Sequence, residues 1–306
     1  MRVAMVFPGQ GTQVPGMGAP WREHPAWKLL DEAERALGEP LRSLVLDASA
    51  EQLARTRDAQ LAVLCTSLVA WEALRPLAHD IVAFAGHSLG QVTALVASGA
   101  LDLDDGVRFA ARRAELTQRA ADEHPGRMAA LLGATIEQAV EACASAPDAC
   151  WIANDNAPGQ VVIAGTPDGL EIAVGRAKEL GVRRATSLNV GGAFHTPLMA
   201  SAAAGIAAAL DAVPFSAPAA PLVANHDAAA YADADGWPAR SADHVTVPVR
   251  WRTSMETLAA LGADAFVEVG CGSMIAGLAK RTVPDVPVLA CATPDDLATL
   301  SEVLAS

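Results

Sequence analysis

The apolar run Ile81-Val82-Ala83-Phe84-Ala85 leads straight into Gly86-His87-Ser88-Leu89-Gly90 and then into the helix-forming stretch Gln91-Val92-Thr93-Ala94-Leu95-Val96-Ala97. A buried strand that turns this abruptly into a helix belongs to a parallel α/β sheet, because the helix carries the chain back across the sheet face. The turn needs small residues on both sides of the serine, where a Cβ would meet the neighbouring elements. It also lifts the Ser88 hydroxyl out of the sheet and aims the first free N–H groups of the helix at any carbonyl that the oxygen attacks. Gly-x-Ser-x-Gly is thus a candidate nucleophile site as well as a fold signal, with an ordinary glycine-flanked turn as the alternative.

The rest of the chain supports a parallel sheet covered by helices. Residues 3–7 read as a first strand, followed by helices up to residue 77, the strand at 81–85 and helices through about residue 121. After Pro125-Gly126 the pattern changes. Residues 128–133 read as a strand, 136–145 as a helix, 150–153 and 161–165 as a strand pair across a Pro-Gly turn, 168–180 as a helix and 185–190 as a strand. This β-α-β-β-α-β order is that of a ferredoxin-like unit. The earlier style then resumes with a helix at 198–212, a short strand at 222–224, an Ala/Asp/Gly loop over 228–242 and a helix at 255–261. A strand at 265–269, a helix at 274–280, a strand at 286–290 and a helix from Asp295 close the set. The expected organisation is a large α/β domain (1–124 and 196–306) with a small inserted subdomain (125–195). The cleft between them is a natural binding site.

Composition excludes several function classes. The 306 residues are 52% hydrophobic, enough for a substantial core, and carry a formal net charge of −13 with no basic run longer than two residues. Nucleic acid is therefore not an expected partner. An acidic partner would need a local basic patch, for which Arg183-Arg184 and Lys280-Arg281 are candidates, a solvated face being the plainer reading of both. No run reaches the roughly 18 apolar residues of a membrane span. The N-terminal apolar run is too short for a signal peptide. A cytoplasmic monomer is expected. Cys65, Cys143, Cys150, Cys271 and Cys291 show no Cys-x-x-Cys pair and no histidine at metal-ligand spacing, so reduced, mostly buried thiols and no metal are expected.

A serine at neutral pH needs a base. The histidines after Ser88 are His124, His195, His226 and His244. His195 stands out, because Val190-Gly191-Gly192-Ala193-Phe194-His195-Thr196-Pro197 marks the return from the small subdomain and can overhang the cleft.

Taken together, Phe7-Pro8-Gly9-Gln10-Gly11-Thr12-Gln13, Gly86-His87-Ser88-Leu89-Gly90, Asn154-Asp155-Asn156-Ala157-Pro158-Gly159-Gln160, Gly192-Ala193-Phe194-His195 and Pro248-Val249-Arg250-Trp251 resemble the malonyl-CoA:acyl carrier protein transacylases. The resemblance spans essentially the whole chain and implies an α/β hydrolase-like large domain with a ferredoxin-like insertion. It implies Ser88 as nucleophile and His195 as base, acting in a ping-pong transfer of malonyl from a coenzyme A thioester to an acyl carrier protein, with no tightly bound cofactor. It places the oxyanion hole at the backbone N–H groups of Gln10 and Leu89, and Gln60, His87 and Phe194 in the substrate pocket. An arginine on the helix after the nucleophile pairs with the free carboxylate in this family; counting places it at Arg113, with Arg112 one position away on a different helix face. Phe194 fits malonyl selection.

Several positions depart from the family pattern. His244 stands where glutamine is usual, in a role filled by a main-chain carbonyl that accepts from Nδ1 of the catalytic histidine, so the change leaves that role intact. Gln91 replaces a glutamate, and Cys271 stands where proline is usual and reads as a loop thiol. Asn156 and Gln160 read as structural hydrogen-bonding residues near the cleft. The competing readings are a generic α/β-hydrolase esterase, a family member that edits by hydrolysis or loads another acyl group, and an inactive scaffold that binds carrier protein. A carboxylate-pairing Arg113 argues against a neutral acyl substrate.

Overall fold

The computed structural model describes residues 1–305. Ten strands form two sheets: β1 (Val3–Phe7), β2 (Ile81–Gly86), β3 (Arg127–Leu132), β4 (Cys150–Ala157), β5 (Gln160–Gly165), β6 (Arg184–Ser187), β7 (Leu222–Val223), β8 (Ala230–Tyr231), β9 (Ala265–Val269) and β10 (Val288–Cys291). The first sheet has the order β10-β9-β1-β2-β7-β8 and is parallel except for β8. The second is antiparallel in the order β4-β5-β3-β6, the ferredoxin-like arrangement that the β-α-β-β-α-β reading implies.

Every residue of β1 is buried, as the centre of a sheet covered on both faces requires. Alternation divides it cleanly. Val3, Met5 and Phe7 join the larger core, and Ala4 and Val6 the core on the opposite face. On the larger side the helix Thr56–Leu74 is apolar almost all round and lies buried, its Trp71 set edge-on to Phe7 and Phe84 with ring centroids at 6.3 and 5.6 Å. The helix Leu103–Glu123 packs beside it, started by Asp102, whose side chain accepts from the Asp105 N–H at 2.7 Å.

β4 ties the second sheet to the segment that leads into the helix Trp251–Ala260. Asn154 bridges to Val249, the Asp155 N–H donates to the Val249 carbonyl at 2.9 Å, and Arg252 pairs with Asp155 at 2.9 Å. β4 runs on past residue 153 to Ala157 with register shifts around Asn154 and Asp155–Ala157, so Asn154 and Asn156 belong to a strand rather than a loop. β6 is shorter than the expected 185–190, and Leu188, Asn189 and Val190 instead line a cavity.

The expected loop over 228–242 is a correction. It contains β8 and the helix Trp237–Asp243, which begins after Gly236 at φ 75° with a proline in its first turn and buries Trp237 completely. No helix among the described residues is long and apolar enough to cross a membrane.

Candidate active site

β1 and β2 are parallel neighbours, and both carboxyl ends open onto one cavity of about 320 Å³. Its walls include Gln10, Gln60, His87, Ser88, Leu89, Arg113, Phe194 and His195. All but Arg113 and Gln60 therefore come from turns and loops, and those two from long buried helices.

Ser88 sits at the corner between β2 and the helix Gly90–Ala97 with φ 52°, a left-handed conformation that a non-glycine residue adopts only where its surroundings enforce it. Gly90 makes the corner possible: a Cβ there would lie 2.2 Å from the Phe7 carbonyl oxygen. The His87 N–H donates to that same carbonyl at 2.9 Å, which locks the turn against the end of β1.

Ser88 Oγ lies 2.8 Å from His195 Nε2, and His195 Nδ1 lies 2.8 Å from the His244 carbonyl oxygen. With Nδ1 carrying the proton, Nε2 is free to accept one from the hydroxyl. Burial, and then the nearby Arg113 cation, pushes His195 down to about 3, so its ring is neutral throughout the physiological range. His244 is also buried, its ring tilted over that of His195 at 5.0 Å, and burial holds it well below the usual imidazole range.

Arg113 is 4% exposed. Its Nη1 donates to Gln60 Oε1 at 2.8 Å and its Nη2 to Ser88 Oγ at 3.3 Å, and burial pushes it down to about 10. Arg112, one residue earlier, faces outward and pairs with Glu115. A buried guanidinium whose partners are an amide and a hydroxyl is a standing demand for a carboxylate.

The N–H groups of Gln10 and Leu89 have no hydrogen-bond acceptor among the described residues and belong to residues that line the cavity beside Ser88. His87 Nε2 is held 2.8 Å from Asn156 Oδ1, and the His87 ring sits edge-on to Trp251. Burial lowers His87, against the opposing effect of that Asn156 contact. Gln160 Oε1 accepts from Arg281 at 2.6 Å.

The acyl transferase domain family matches residues 4–295. The chain belongs to this family. It is 36% identical over 301 residues to the malonyl CoA-acyl carrier protein transacylase of Bacillus subtilis, covering 97% of this chain and 95% of the relative. Its fold matches the crystal structure of acyl-carrier-protein-S-malonyltransferase from Bartonella henselae with a TM-score of 0.95 at 34% identity, over 100% of both chains. It matches equally, at 0.95 and 33% identity over 99% of this chain and 100% of the other, a malonyl-transacylase in complex with its type II PKS acyl-carrier protein.

In this acyl transferase four of the five motifs quoted above line the cavity, although they come from widely separated segments; Pro248-Val249-Arg250-Trp251 stands behind it, with Trp251 against the His87 ring and Arg250 donating to the Asn225 carbonyl. The departures have simple physical settings. The His244 main-chain carbonyl lies against Nδ1 of His195, and His244 Nε2 is buried without a hydrogen-bond partner among the described residues. Gln91 is buried and accepts from the Asn225 N–H at 2.8 Å. Cys271 is a buried thiol 3.6 Å from Thr12 Oγ1 and burial raises it, so it is poorly suited to nucleophilic chemistry. All five cysteines are free and buried, and no group of three His, Cys, Asp or Glu among the described residues is placed to hold a metal ion.

Asn225 is the residue that sequence reasoning missed. Its side chain accepts from the Ser88 N–H, yet it follows a two-residue strand in a stretch without a local pattern, and its partners at the corner, Gly86, Ser88 and Gln91, lie 134–139 positions away.

Proposed function

We propose that this protein moves a malonyl group from malonyl-CoA to the phosphopantetheine thiol of an acyl carrier protein, with Ser88 as nucleophile and His195 as base. The observation that carries the choice of acyl group is Arg113. A buried cation 3.3 Å from the attacking oxygen, with no carboxylate of its own, fits an acyl chain that ends in one. A neutral acyl group would leave that charge buried and uncompensated, a cost of about 3 kcal/mol or more.

The chemistry follows from the distances. His195 Nε2 takes the Ser88 proton as Oγ attacks the thioester carbonyl carbon, and the N–H groups of Gln10 and Leu89 bind the oxyanion that forms. The C–S bond then breaks. His195 returns the proton to the departing coenzyme A thiolate and the malonyl ester remains on Ser88. In the second half the carrier thiol gives its proton to His195 and attacks the ester, and Ser88 Oγ leaves as the hydroxyl. Atoms and charges balance without an added cofactor. Gln60 fixes one arm of the Arg113 fork, leaving the other free to turn from Ser88 to the substrate carboxylate.

We place the cleft between a large domain (1–124 and 196–306) and a ferredoxin-like subdomain (125–195), in keeping with the separate antiparallel sheet. The carrier protein has a suitable surface at one edge of that sheet. Arg184 is in register with Leu132, Leu132 with Gln160, and Gln160 accepts from Arg281, so exposed Arg183, Arg184, Lys280 and Arg281 lie toward the cavity side where Gln160 and Met274 stand. On a chain of net charge −13, that basic stretch suits an acidic partner. Five free thiols support a reducing, cytoplasmic setting.

The test is intact-protein mass spectrometry after brief exposure to malonyl-CoA, acetyl-CoA and methylmalonyl-CoA in competition. A malonyl adduct is expected on the wild type, absent from Ser88→Ala and passed to added carrier protein. An acetyl adduct, or loss to water at a rate that the carrier does not change, would replace malonyl transfer with loading of another acyl group or with editing.

A further inference from the structure

β7 pairs with β2 only at Phe84 and Ala85, and beyond Val223 its backbone leaves the ladder. The side chain of Asn225 continues it. Asn225 Nδ2 donates to the Gly86 carbonyl at 2.8 Å, and Oδ1 accepts from the Ser88 N–H at 2.8 Å, so one amide spans the corner from strand to turn. The residue is completely buried. Its backbone is fixed as firmly as its side chain. The N–H donates to Gln91 Oε1 at 2.8 Å and the carbonyl accepts from the Arg250 N–H at 2.9 Å.

We propose that Asn225 is a positioning residue that holds Ser88 in its left-handed backbone conformation and thereby sets the aim of Oγ. The inference rests on the reading of Ser88 as nucleophile. A φ of 52° at a serine persists only where the surroundings over-determine it, and an amide that brackets Gly86 and Ser88 does so from outside the turn. The bracket also consumes the Ser88 N–H, which leaves the Leu89 N–H as the free donor of the corner. Through Arg250 the same residue is tied to the segment that begins at His244, whose carbonyl orients His195. Nucleophile and base are thus referenced to one buried residue, the nucleophile through its side chain and the base through its backbone. Gln91, where the family usually carries glutamate, supplies through Oε1 the acceptor that seats Asn225.

The experiment compares full-length wild type, Asn225→Ala and Asn225→Asp by rapid-quench mass spectrometry of the malonyl adduct, steady-state kcat and KM for malonyl-CoA, and thermal unfolding. Asn225→Asp keeps the side-chain volume and the acceptor for Ser88 while losing the donor to Gly86, and so provides a folded variant where the alanine collapses. Misaiming Oγ is expected to slow acylation by about 100-fold. KM should stay within about threefold, because Arg113 and Gln60 are untouched. A folded Asp variant that acylates within about threefold of the wild-type rate overturns the proposal, as does one that loses affinity and keeps its rate. A wild type that acquires no malonyl on Ser88 is a different result, and it removes the nucleophile assignment itself.

Discussion

Ser88 and His195 both sit at positive φ, 52° and 61°, but the means that hold them there differ. The serine corner is built into the sheet. Its amides and carbonyls bond to Phe7, His87, Asn225 and the start of the following helix, and the elements around it are buried on every side. The histidine comes from an irregular loop at the seam between the two sheets. That loop is held by the His244 carbonyl, by the Thr196 hydroxyl on the Ala193 carbonyl, and by the overlying His244 ring. Backbone packing, bracketed by the Asn225 side chain, fixes the position of Ser88, and a few contacts of the loop fix that of His195. A Cβ added at the corner's glycines should therefore act through folding, and change at the seam through chemistry.

Paired glycine substitutions put the largest effect on that contrast. A Cβ on Gly86 would stand 1.9 Å from the Gly90 carbonyl oxygen and 2.6 Å from the Gln91 nitrogen, both backbone atoms that cannot yield. Gly86→Ala is expected to cost about 4 kcal/mol or more, leaving little folded protein. In the loop before His195, a Cβ on Gly191 meets nothing nearer than Gln118 Oε1 at 3.5 Å. Gly191→Ala should shift Tm by no more than about 2 °C. Thermal unfolding of the two variants decides the matter, and equal stability would erase the distinction between corner and seam.

Arg113→Ala tests the chemical side. Arg113 ranks after burial among the causes that depress His195, so removing the cation lets the imidazole rise from about 3 toward its ordinary value. In its proposed role as base, His195 must be neutral to accept the Ser88 proton. The acid limb of Ser88 labelling by an uncharged sulfonyl fluoride should therefore move to higher pH in the variant. In the proposed transfer a malonyl carboxylate paired with Arg113 would offset the field felt by His195 and strengthen it as a base when the substrate arrives. Preference for malonyl over acetyl should fall by about 100-fold with the arginine gone. An unmoved limb together with unchanged selectivity would take Arg113 out of the site.

The corner was legible in the sequence because its signal is local: five β-branched, aromatic and alanine residues, two glycines and a serine in one short stretch. β1, β2 and β9 were legible for the same reason, being short, mostly apolar runs that are largely buried. What was hidden depended on distant partners. Asn154 and Asn156 made the second half of β4 look like a loop, because polar side chains that face a cavity break the apolar pattern of a strand. The helix Trp237–Asp243 has its glycine and proline signals, but it lies among alanine and aspartate residues that give no periodicity, and only the burial of Trp237 reveals what anchors it. Asn225 carried no local signal at all. Its importance is a property of the fold, since it links β7, β2 and the segment before Trp251.

The smallest expected effect is a pH dependence of stability concentrated at the seam. His195 and His244 are buried there and neutral, and both are held below 6.5 chiefly by burial, so the unfolded chain binds their protons more readily than the native one does. Native stability is then complete above about pH 6.5 and falls as pH drops toward 3, the folded value for His195. Each such group contributes at most about 1.4 kcal/mol per pH unit within that window. His87, next to the serine, titrates in the same direction but keeps its Asn156 contact. His244→Gln retains the carbonyl that orients His195 and removes one imidazole, so the fall of its urea midpoint between pH 7 and 5 should be shallower than that of the wild type. A slope identical to wild type would mean that protonation enters elsewhere. The loop that carries His195 would then be no more acid-sensitive than the corner that carries Ser88.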